Sequence, residues 1–191
     1  MSAEPEMTTQ IDCDLLVIGS GAGGLSAAVT AAWHGLKVIV AEKEPVFGGT
    51  TAWSGGWMWA PLNPLAQRAG ITEDPEAPRN YLRHVLGNNF DEAKVTAFLD
   101  AAPRMVAFFE KNTALQFEGG TKIPDTYSNA PGAGTGGRSV IAAPYDARGL
   151  GDLVDRLRAD ARDDVHGYDH PGRAGPCGFH ELRGRPAPSS M

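Results

Sequence analysis

The sequence predicts an α/β fold, a parallel sheet with flanking helices, from three features of residues 13–41. Residues 13–18 form a short apolar run that suits a buried strand, and residues 37–41 form a second one. Between them, residues 25–34 are rich in alanine, as expected of a closely packed helix, and Gly35 is placed to end it in a left-handed conformation. A strand, a helix and a second strand in this order are the unit from which parallel sheets are built.

A glycine-rich turn joins the first strand to the helix and matches the pattern G-x-G-x-x-G. Gly19 lets the chain turn sharply, Gly21 lets the backbone approach a pyrophosphate, and Gly24 lets the helix pack close to the sheet. Free amides and the positive end of the helix dipole then bind the phosphates. The residues of this turn that are predicted to bind a cofactor are Gly19, Ser20, Gly21, Ala22, Gly23 and Gly24. The alternative interpretation is an ordinary tight turn between a strand and a helix.

An acidic residue, Glu42, stands at the carboxyl end of the second strand. A carboxylate at this position can accept hydrogen bonds from the hydroxyls of an adenosine ribose, and it disfavours a 2′-phosphate. The strand, turn, helix, strand and acid together predict a Rossmann-like unit that binds FAD or NAD rather than NADP.

A second glycine-rich segment, residues 42–56, contains two Gly-Gly pairs and several hydroxyl side chains. The glycines permit close approach of the backbone to a ligand, and the hydroxyls can bond to phosphate and ring heteroatoms. This segment resembles the one that follows the second strand in the fumarate reductase and succinate dehydrogenase flavoproteins. The resemblance implies FAD, with the Gly-Gly-Thr stretch along the pyrophosphate and the Ser-Gly-Gly stretch beside the flavin ring. A flexible loop without a ligand is the alternative.

The same resemblance implies the cofactor contacts of this segment and how the flavin is held. The residues predicted to bind FAD are Glu42, Lys43, Gly49, Thr50, Thr51, Ser54, Gly55 and Gly56. Succinate dehydrogenases attach their flavin to a histidine just ahead of this stretch. Gly49 occupies that place here, so the resemblance implies non-covalent FAD.

Later motifs resemble the 3-ketosteroid 1-dehydrogenase branch of the same family. They lie at residues 57–64, 127–132, 136–139 and 144–151. The whole resemblance covers most of the chain and implies an incomplete Rossmann-like FAD-binding domain followed by helical and loop-rich segments.

The branch implies an FAD-dependent oxidoreductase that oxidises or reduces a carbon–carbon bond next to a carbonyl in a ketosteroid-like small molecule. Tyr127 is the predicted catalytic residue, a pocket tyrosine that moves a proton or polarises the carbonyl, and packing of a half-buried loop tyrosine is the other interpretation. Arg138 is predicted to hold a carboxylate or phosphate, or to pair with Asp146. The alternatives are a fumarate reductase-type flavoprotein and a truncated FAD- or ADP-binding module without catalytic activity. The sequence does not identify the electron acceptor.

Composition argues against several kinds of partner. The net charge is −6 and no basic stripe is present, which disfavours nucleic acid binding. No apolar run approaches the ~20 residues needed to cross a membrane, and the first eleven residues lack the pattern of a signal peptide. The only cysteines, Cys13 and Cys177, lie far apart and indicate no disulfide framework. We therefore expect a cytoplasmic protein.

We expect three segments along the chain. Residues 1–11 are predicted to be disordered, residues 12–162 to form the amino-terminal part of an FAD-binding domain, and residues 163–191 to form a disordered tail. The resemblance implies further strands that complete the sheet in longer relatives. Without them, apolar faces and a sheet edge stay uncovered, so we expect marginal stability.

The tail shows neither helical nor strand periodicity. One hypothesis is out-of-frame translation after Arg162, because a one-base shift in a possible coding sequence for the first tail residues gives an apolar segment like that of relatives. A metal site formed by the tail's histidines and Cys177 is the other interpretation, but no second ligand pair accompanies them, and we predict no metal.

Four helical segments are predicted after the nucleotide-binding unit. They lie at residues 75–86, 92–101, 103–111 and 150–162, with a proline opening or kinking the third. The glycine- and proline-rich residues 117–151 are predicted to form long loops with short strands.

Overall fold

The computed structural model describes residues 10–158, which form two compact units. The parallel unit comprises residues 10–53 and 152–158, and the antiparallel unit comprises residues 54–151. The tail predicted from residue 163 onward, with its out-of-frame and metal interpretations, lies outside the described residues, as does most of the predicted disordered amino terminus.

The parallel unit contains the predicted strand–helix–strand arrangement. Strands β1 (Leu15–Ile18) and β2 (Val38–Ala41) pair in parallel, and helix α1 (Ala22–Trp33) connects them. Gly35 has φ +86°, which confirms the predicted left-handed residue after the helix. A 3₁₀ turn, Gly49–Trp53, follows β2. The α/β fold class is therefore confirmed.

Much apolar surface in the parallel unit faces water. Along β1, Val17 is 8% exposed, whereas Leu16 and Ile18 are 54% and 76% exposed. On α1, Ala28 and Ala31 are buried, so the helix packs through its smallest side chains. This packing explains why an alanine-rich helix lies so close to the two strands.

The antiparallel unit contains three α-helices and a small sheet. Its helices are α2 (Pro64–Arg68), α3 (Glu76–Leu86) and α4 (Glu92–Asn112). Its strands are β3 (Trp57–Trp59), β4 (Phe117–Gly119) and β5 (Ser139–Ala142), in the antiparallel order β3–β5–β4. The central strand β5 therefore joins a strand before the helices to one after them.

The core of the antiparallel unit lies between the sheet and α4. Its buried members are Ala60, Leu65, Ala102, Val106, Phe109, Phe117 and Val140. Val106 and Val140 are fully buried, so α4 and β5 share the centre of this core. Burial of a side chain of this size contributes about 1.5–3 kcal/mol, which holds the long helix on the sheet.

Two helical segments differ from the sequence predictions. The predicted helices at 92–101 and 103–111 are one helix, α4, that continues through Pro103. Proline removes one backbone hydrogen bond, and the buried face on both sides of it keeps the helix continuous. The helix predicted at 150–162 is instead a 3₁₀ segment, Ala147–Arg156, over its described part. Gly151, with φ +54° and ψ −135°, breaks the regular helical geometry there.

Within residues 10–158, no helix is both long enough and apolar enough to cross a membrane. The same residues contain no group of three or more histidine, cysteine or acidic side chains arranged to hold a metal ion.

Candidate functional site

The turn after β1 is tight because its last glycine contacts its first. Gly19 has φ +92°, and its amide donates to the carbonyl of Ala41 in β2 at 2.8 Å. A Cβ on Gly24 would lie 2.1 Å from the carbonyl oxygen of Gly19 and 3.3 Å from a methyl group of Val17. The first turn of α1 therefore packs against the end of β1, as the glycine pattern predicts.

The amino terminus of α1 has the features of an anion-binding end. Gly21 is the N-cap and provides no side chain, and the first turn contains no acidic residue. Thr51 reaches this end, because the amide of Ala22 donates to Thr51 Oγ1 at 3.0 Å. Gly49 lies beside it, since a Cβ on Gly49 would be 3.3 Å from Gly21 Cα. Backbone amides and the helix dipole favour a phosphate at such a position.

Glu42 is held by the glycine-rich turn itself. Its Oε2 accepts hydrogen bonds from the amide and the hydroxyl of Ser20, at 2.9 and 2.5 Å. Its Oε1 accepts from the amide of Glu44 at 3.1 Å. The Ser20 hydroxyl in turn accepts from the amide of Gly48 at 3.0 Å, so one buried serine links both glycine-rich segments.

These hydrogen bonds keep the Glu42 carboxyl ionised. The Ser20 hydroxyl, followed by the amides of Glu44 and Ser20, lowers the pKa of Glu42 from 4.5 to about 2. Bonds to the charged form of an acid favour that form. An ionised acceptor is therefore fixed next to the amino terminus of α1 at neutral pH.

The other predicted cofactor residues are exposed or form contacts of their own. Lys43 is highly exposed and pairs with the neighbouring Glu44 at 3.6 Å, and Thr50 is exposed. Ser54, Gly55 and Gly56 belong to the antiparallel unit, where Ser54 Oγ accepts from the amide of Gly56 at 3.2 Å. Gly23, in the first turn of α1, has no atom within 4 Å of where a Cβ would stand.

Tyr127 lies on a loop of the antiparallel unit and is 60% exposed. It lines a groove of about 570 Å³ with its loop neighbours and with His84 and Val85 at the end of α3. The groove is within the range of about 300–1,000 Å³ that is usual for small-molecule sites. The backbone amide of Tyr127 donates to the Tyr81 hydroxyl at 3.4 Å, so the main chain of the loop is held at this point.

Arg138 has partners that the sequence did not indicate. In place of the predicted Asp146, it pairs with Asp125 and Glu73, and it is 2% exposed. Burial of an arginine requires such partners, but the sequence pattern gives no indication of which acids the fold brings to it.

Comparison with known proteins gives the family. The family described as an FAD binding domain matches residues 14–176, which include the turn, α1 and Glu42. The chain belongs to this FAD binding domain family. The match extends past Asp163, where the predicted tail begins.

Relatives of this FAD binding domain include dehydrogenases of cyclic ketones. The chain is 46% identical over 142 residues to a 4-oxocyclohex-2-ene-1-carboxylate 5-dehydrogenase of Sinomonas cyclohexanicum, covering 74% of this chain and 24% of that protein. It is 43% identical over 145 residues to a 3-oxosteroid 1-dehydrogenase of Mycobacterium tuberculosis, covering 76% and 26%. The crystal structure of 3-ketosteroid delta1-dehydrogenase from Sterolibacterium denitrificans in complex with 1,4-androstadiene-3,17-dione has a TM-score of 0.74 and 37% identity, covering 79% of this chain and 27% of that chain.

The chain spans about a quarter of the length of these curated relatives. A fumarate reductase (cytochrome) of Shewanella frigidimarina is more distant, at 32% identity over 70% of this chain and 24% of that protein. The predicted resemblance to both the fumarate reductase flavoproteins and the ketosteroid branch is confirmed, and the ketosteroid relatives are the more similar.

FAD is the cofactor of this family, and the parallel unit fits its adenosine diphosphate part. The N-cap of α1 has no side chain to obstruct a pyrophosphate. Glu42 Oε1 accepts from the Glu44 amide and retains a lone pair for a ribose hydroxyl. Gly49 keeps the backbone close to Gly21, because its φ is +56° and a Cβ there would lie 3.3 Å from Gly21 Cα.

Removing the Ser20 hydroxyl should raise the pKa of Glu42. In Ser20→Ala the strongest bond to the carboxylate is lost, so we expect the pKa to move from about 2 toward 4.5. Because the folded pKa is depressed, stabilisation by this carboxylate is present above pH 4.5 and disappears as the pH falls through about 2. In Ser20→Ala the stabilisation by the Glu42 carboxylate should be smaller and should be lost at a higher pH. A carboxyl ¹³C NMR titration measures the change.

Asp91 is the internal control for this titration. Its pKa is also lowered, chiefly by the amide of Lys94 at the start of α4, and Ser20 plays no part in that bond. A Glu42 titration curve that is identical in the variant and the original chain would contradict the assigned cause.

Proposed function

We propose that this chain supplies the FAD-binding part of an oxidoreductase that dehydrogenates a carbon–carbon bond next to a carbonyl in a ketosteroid-like molecule. The observation that carries the proposal is the ionised Glu42 carboxylate fixed beside the amino terminus of α1. An acceptor for ribose hydroxyls next to an anion-binding helix end suits an adenine dinucleotide without a 2′-phosphate. The substrate class is supported by relatives that are named as 3-oxosteroid 1-dehydrogenases.

Bound FAD would accept a hydride from the substrate carbon. The start of α1 and the Glu42 carboxylate would bind the cofactor and take no part in the hydride transfer. We propose that the flavin is held non-covalently, because Gly49 occupies the position at which the resemblance to succinate dehydrogenases implies a flavin-linked histidine. A cytoplasmic location is also proposed, supported by a sequence with only two cysteines.

Tyr127 is the proposed catalytic residue, because it is exposed and lines a groove of suitable size. A phenol can donate a hydrogen bond to a substrate carbonyl or transfer the neighbouring proton. Lys43, Thr50 and residues 54–56 remain proposed FAD contacts, on the resemblance alone.

The first test is a flavin spectrum of the purified chain, followed by acid precipitation. We expect yellow protein that releases its flavin into the acid supernatant, which is the behaviour of non-covalent FAD. A chain that takes up no flavin at any concentration would contradict the proposal.

The second test compares turnover of an androstenedione-like ketone, with an artificial electron acceptor, against reduction of fumarate. We expect the ketone to be the substrate and Tyr127→Phe to slow its turnover by about 10²–10⁴-fold, the usual contribution of a proton-transferring group. Tyr145→Phe is the matched control, since Tyr145 is 49% exposed in the same unit. Fumarate reduction without ketone turnover would favour the fumarate reductase alternative, and flavin binding without either reaction would favour a binding module.

A further inference from the structure

A buried arginine, Arg138, lies at the base of the loop that carries Tyr127. The Arg138 guanidinium donates through Nε and one terminal nitrogen to Glu73, and through the other terminal nitrogen to Asp125. The terminal nitrogen that bonds to Glu73, Nη2, also donates to the carbonyl of Gly132 at 2.7 Å. All three nitrogens of the guanidinium are therefore bonded, as a buried arginine requires.

The two ends of the Tyr127 loop meet at this guanidinium. Asp125 stands just before the loop and Gly132 lies on its returning side, and both bond to Arg138. Asp125 also closes the loop directly, because its amide donates to the carbonyl of Gly134 at 2.9 Å and its Oδ2 accepts from the Gly134 amide at 2.8 Å. Residues 126–131 thus form a short loop with a fixed base.

The base of the loop is fixed against α3 and β3. A Cβ on Gly132 would lie 2.3 Å from the carbonyl oxygen of Ala77, so the loop backbone touches α3. The indole nitrogen of Trp59 donates to Asp125 Oδ1 at 2.7 Å. The guanidinium also lies 5.8 Å from the ring centres of Trp59 and Tyr81. These contacts fix the base of the loop, whereas Tyr127 itself is 60% exposed.

We propose that Arg138 is a positioning residue that fixes Tyr127 at the groove by holding both ends of its loop. The inference rests on the proposed function in one respect, which is that Tyr127 is the group that meets the substrate. A planar guanidinium with donors on three nitrogens can bond to Glu73, Asp125 and Gly132 at once. A lysine ammonium has the same charge but is a compact point donor that cannot reproduce this fork.

The test is ¹⁹F NMR of the chain labelled with 3-fluorotyrosine, in the original chain and in Arg138→Lys. The chain has four tyrosines, and the Tyr127→Phe spectrum identifies the Tyr127 line. We expect one Tyr127 line in the original chain and a broadened or split line in Arg138→Lys, while the Tyr145 line keeps its width. A role limited to charge balance would leave the Tyr127 line unchanged, because lysine keeps the charge.

Arg68→Lys is the matched control, since Arg68 forms an exposed ion pair with Glu110 in the same unit. It should leave the Tyr127 line unaltered. A Tyr127 line that stays sharp and unshifted in folded Arg138→Lys overturns the inference.

A second measurement needs no variant of Arg138. Hydrogen exchange of the original chain should be much slower at the Gly134 amide, which donates to Asp125, than at the same amide in the unfolded chain. Exchange at the Gly134 amide as fast as in the unfolded chain would overturn the inference if Arg138→Lys does not fold. Neither measurement involves turnover. The role of Arg138 in holding the Tyr127 loop is therefore tested separately from the proposed function, which fails if Tyr127→Phe retains full activity.

Discussion

Gly24→Ala should destabilise the parallel unit and weaken flavin binding, although it adds only one methyl group. That methyl would stand 2.1 Å from the carbonyl oxygen of Gly19 and 3.1 Å from its carbonyl carbon. The obstacle is backbone, which cannot rotate away as a side chain does, so α1 must move off the end of β1. Overpacking of this kind typically costs about 1–3 kcal/mol and occasionally more. Because the turn also shapes the pyrophosphate site, flavin affinity should fall with it.

Gly23→Ala is the matched control, one residue earlier in the same helix turn. A Cβ there meets nothing within 4 Å, and alanine is a better helix former than glycine by about 0.5–1 kcal/mol. We expect it to leave stability unchanged or raise it. Urea denaturation followed by far-UV circular dichroism measures both variants, and flavin titration measures binding. Equal stability of the two variants would show that the close packing of the turn is not required.

Arg138→Met should destabilise the antiparallel unit by about 3–5 kcal/mol, because it leaves buried acids without their cation. Arg138 and Asp125 each have side chains only 2% exposed, and Glu73 is 18% exposed. Methionine fills similar space but cannot bond to either carboxylate. The remaining acids must then be protonated, repel each other or draw in water, and each of these outcomes costs free energy.

Arg68→Met serves as the comparison for this loss. The Arg68 side chain is 60% exposed and pairs with Glu110 at 3.1 Å, so its removal should cost about 0–1 kcal/mol. Chemical denaturation of both variants gives the difference. In Arg138→Met, the further changes Asp125→Asn and Glu73→Gln should recover part of the lost stability, since they remove the unpaired charge. Equal effects of Arg138→Met and Arg68→Met would mean that the buried cluster is not a major source of stability.

The nucleotide-binding turn could be predicted because its information is local. Gly19, Gly24 and Gly35 each meet a steric requirement that depends on neighbours in the same strand–helix unit. Glu42 could be placed at the site for the same reason, from the end of β2. The hydrogen bonds from Ser20 to Glu42 could not be predicted, because the sequence does not show which nearby donors a carboxylate will accept from.

The arrangement around Tyr127 could not be predicted from the sequence. Arg138 meets one acid 13 residues away and another 65 residues away, and no local sequence signal pairs residues at such separations. Strand β3 was missed for a related reason, because Trp57–Trp59 becomes a strand only when β5 lies beside it. For Pro103 the opposite holds: local chemistry indicated a new helical segment or a kink, whereas the two predicted segments form one helix packed on the core.

The water-facing side chains of β1 also favour association between copies of the chain in solution. Ile18 and Leu16 present hydrocarbon to solvent at 76% and 54% exposure, and Val40 on β2 adds 36%. Burial of such hydrocarbon surface against another apolar surface lowers the free energy. This stabilisation weakens on cooling, because the hydrophobic effect is largely entropic near room temperature. Dilute, cold handling should therefore keep copies of the chain apart better than concentrated, warm handling.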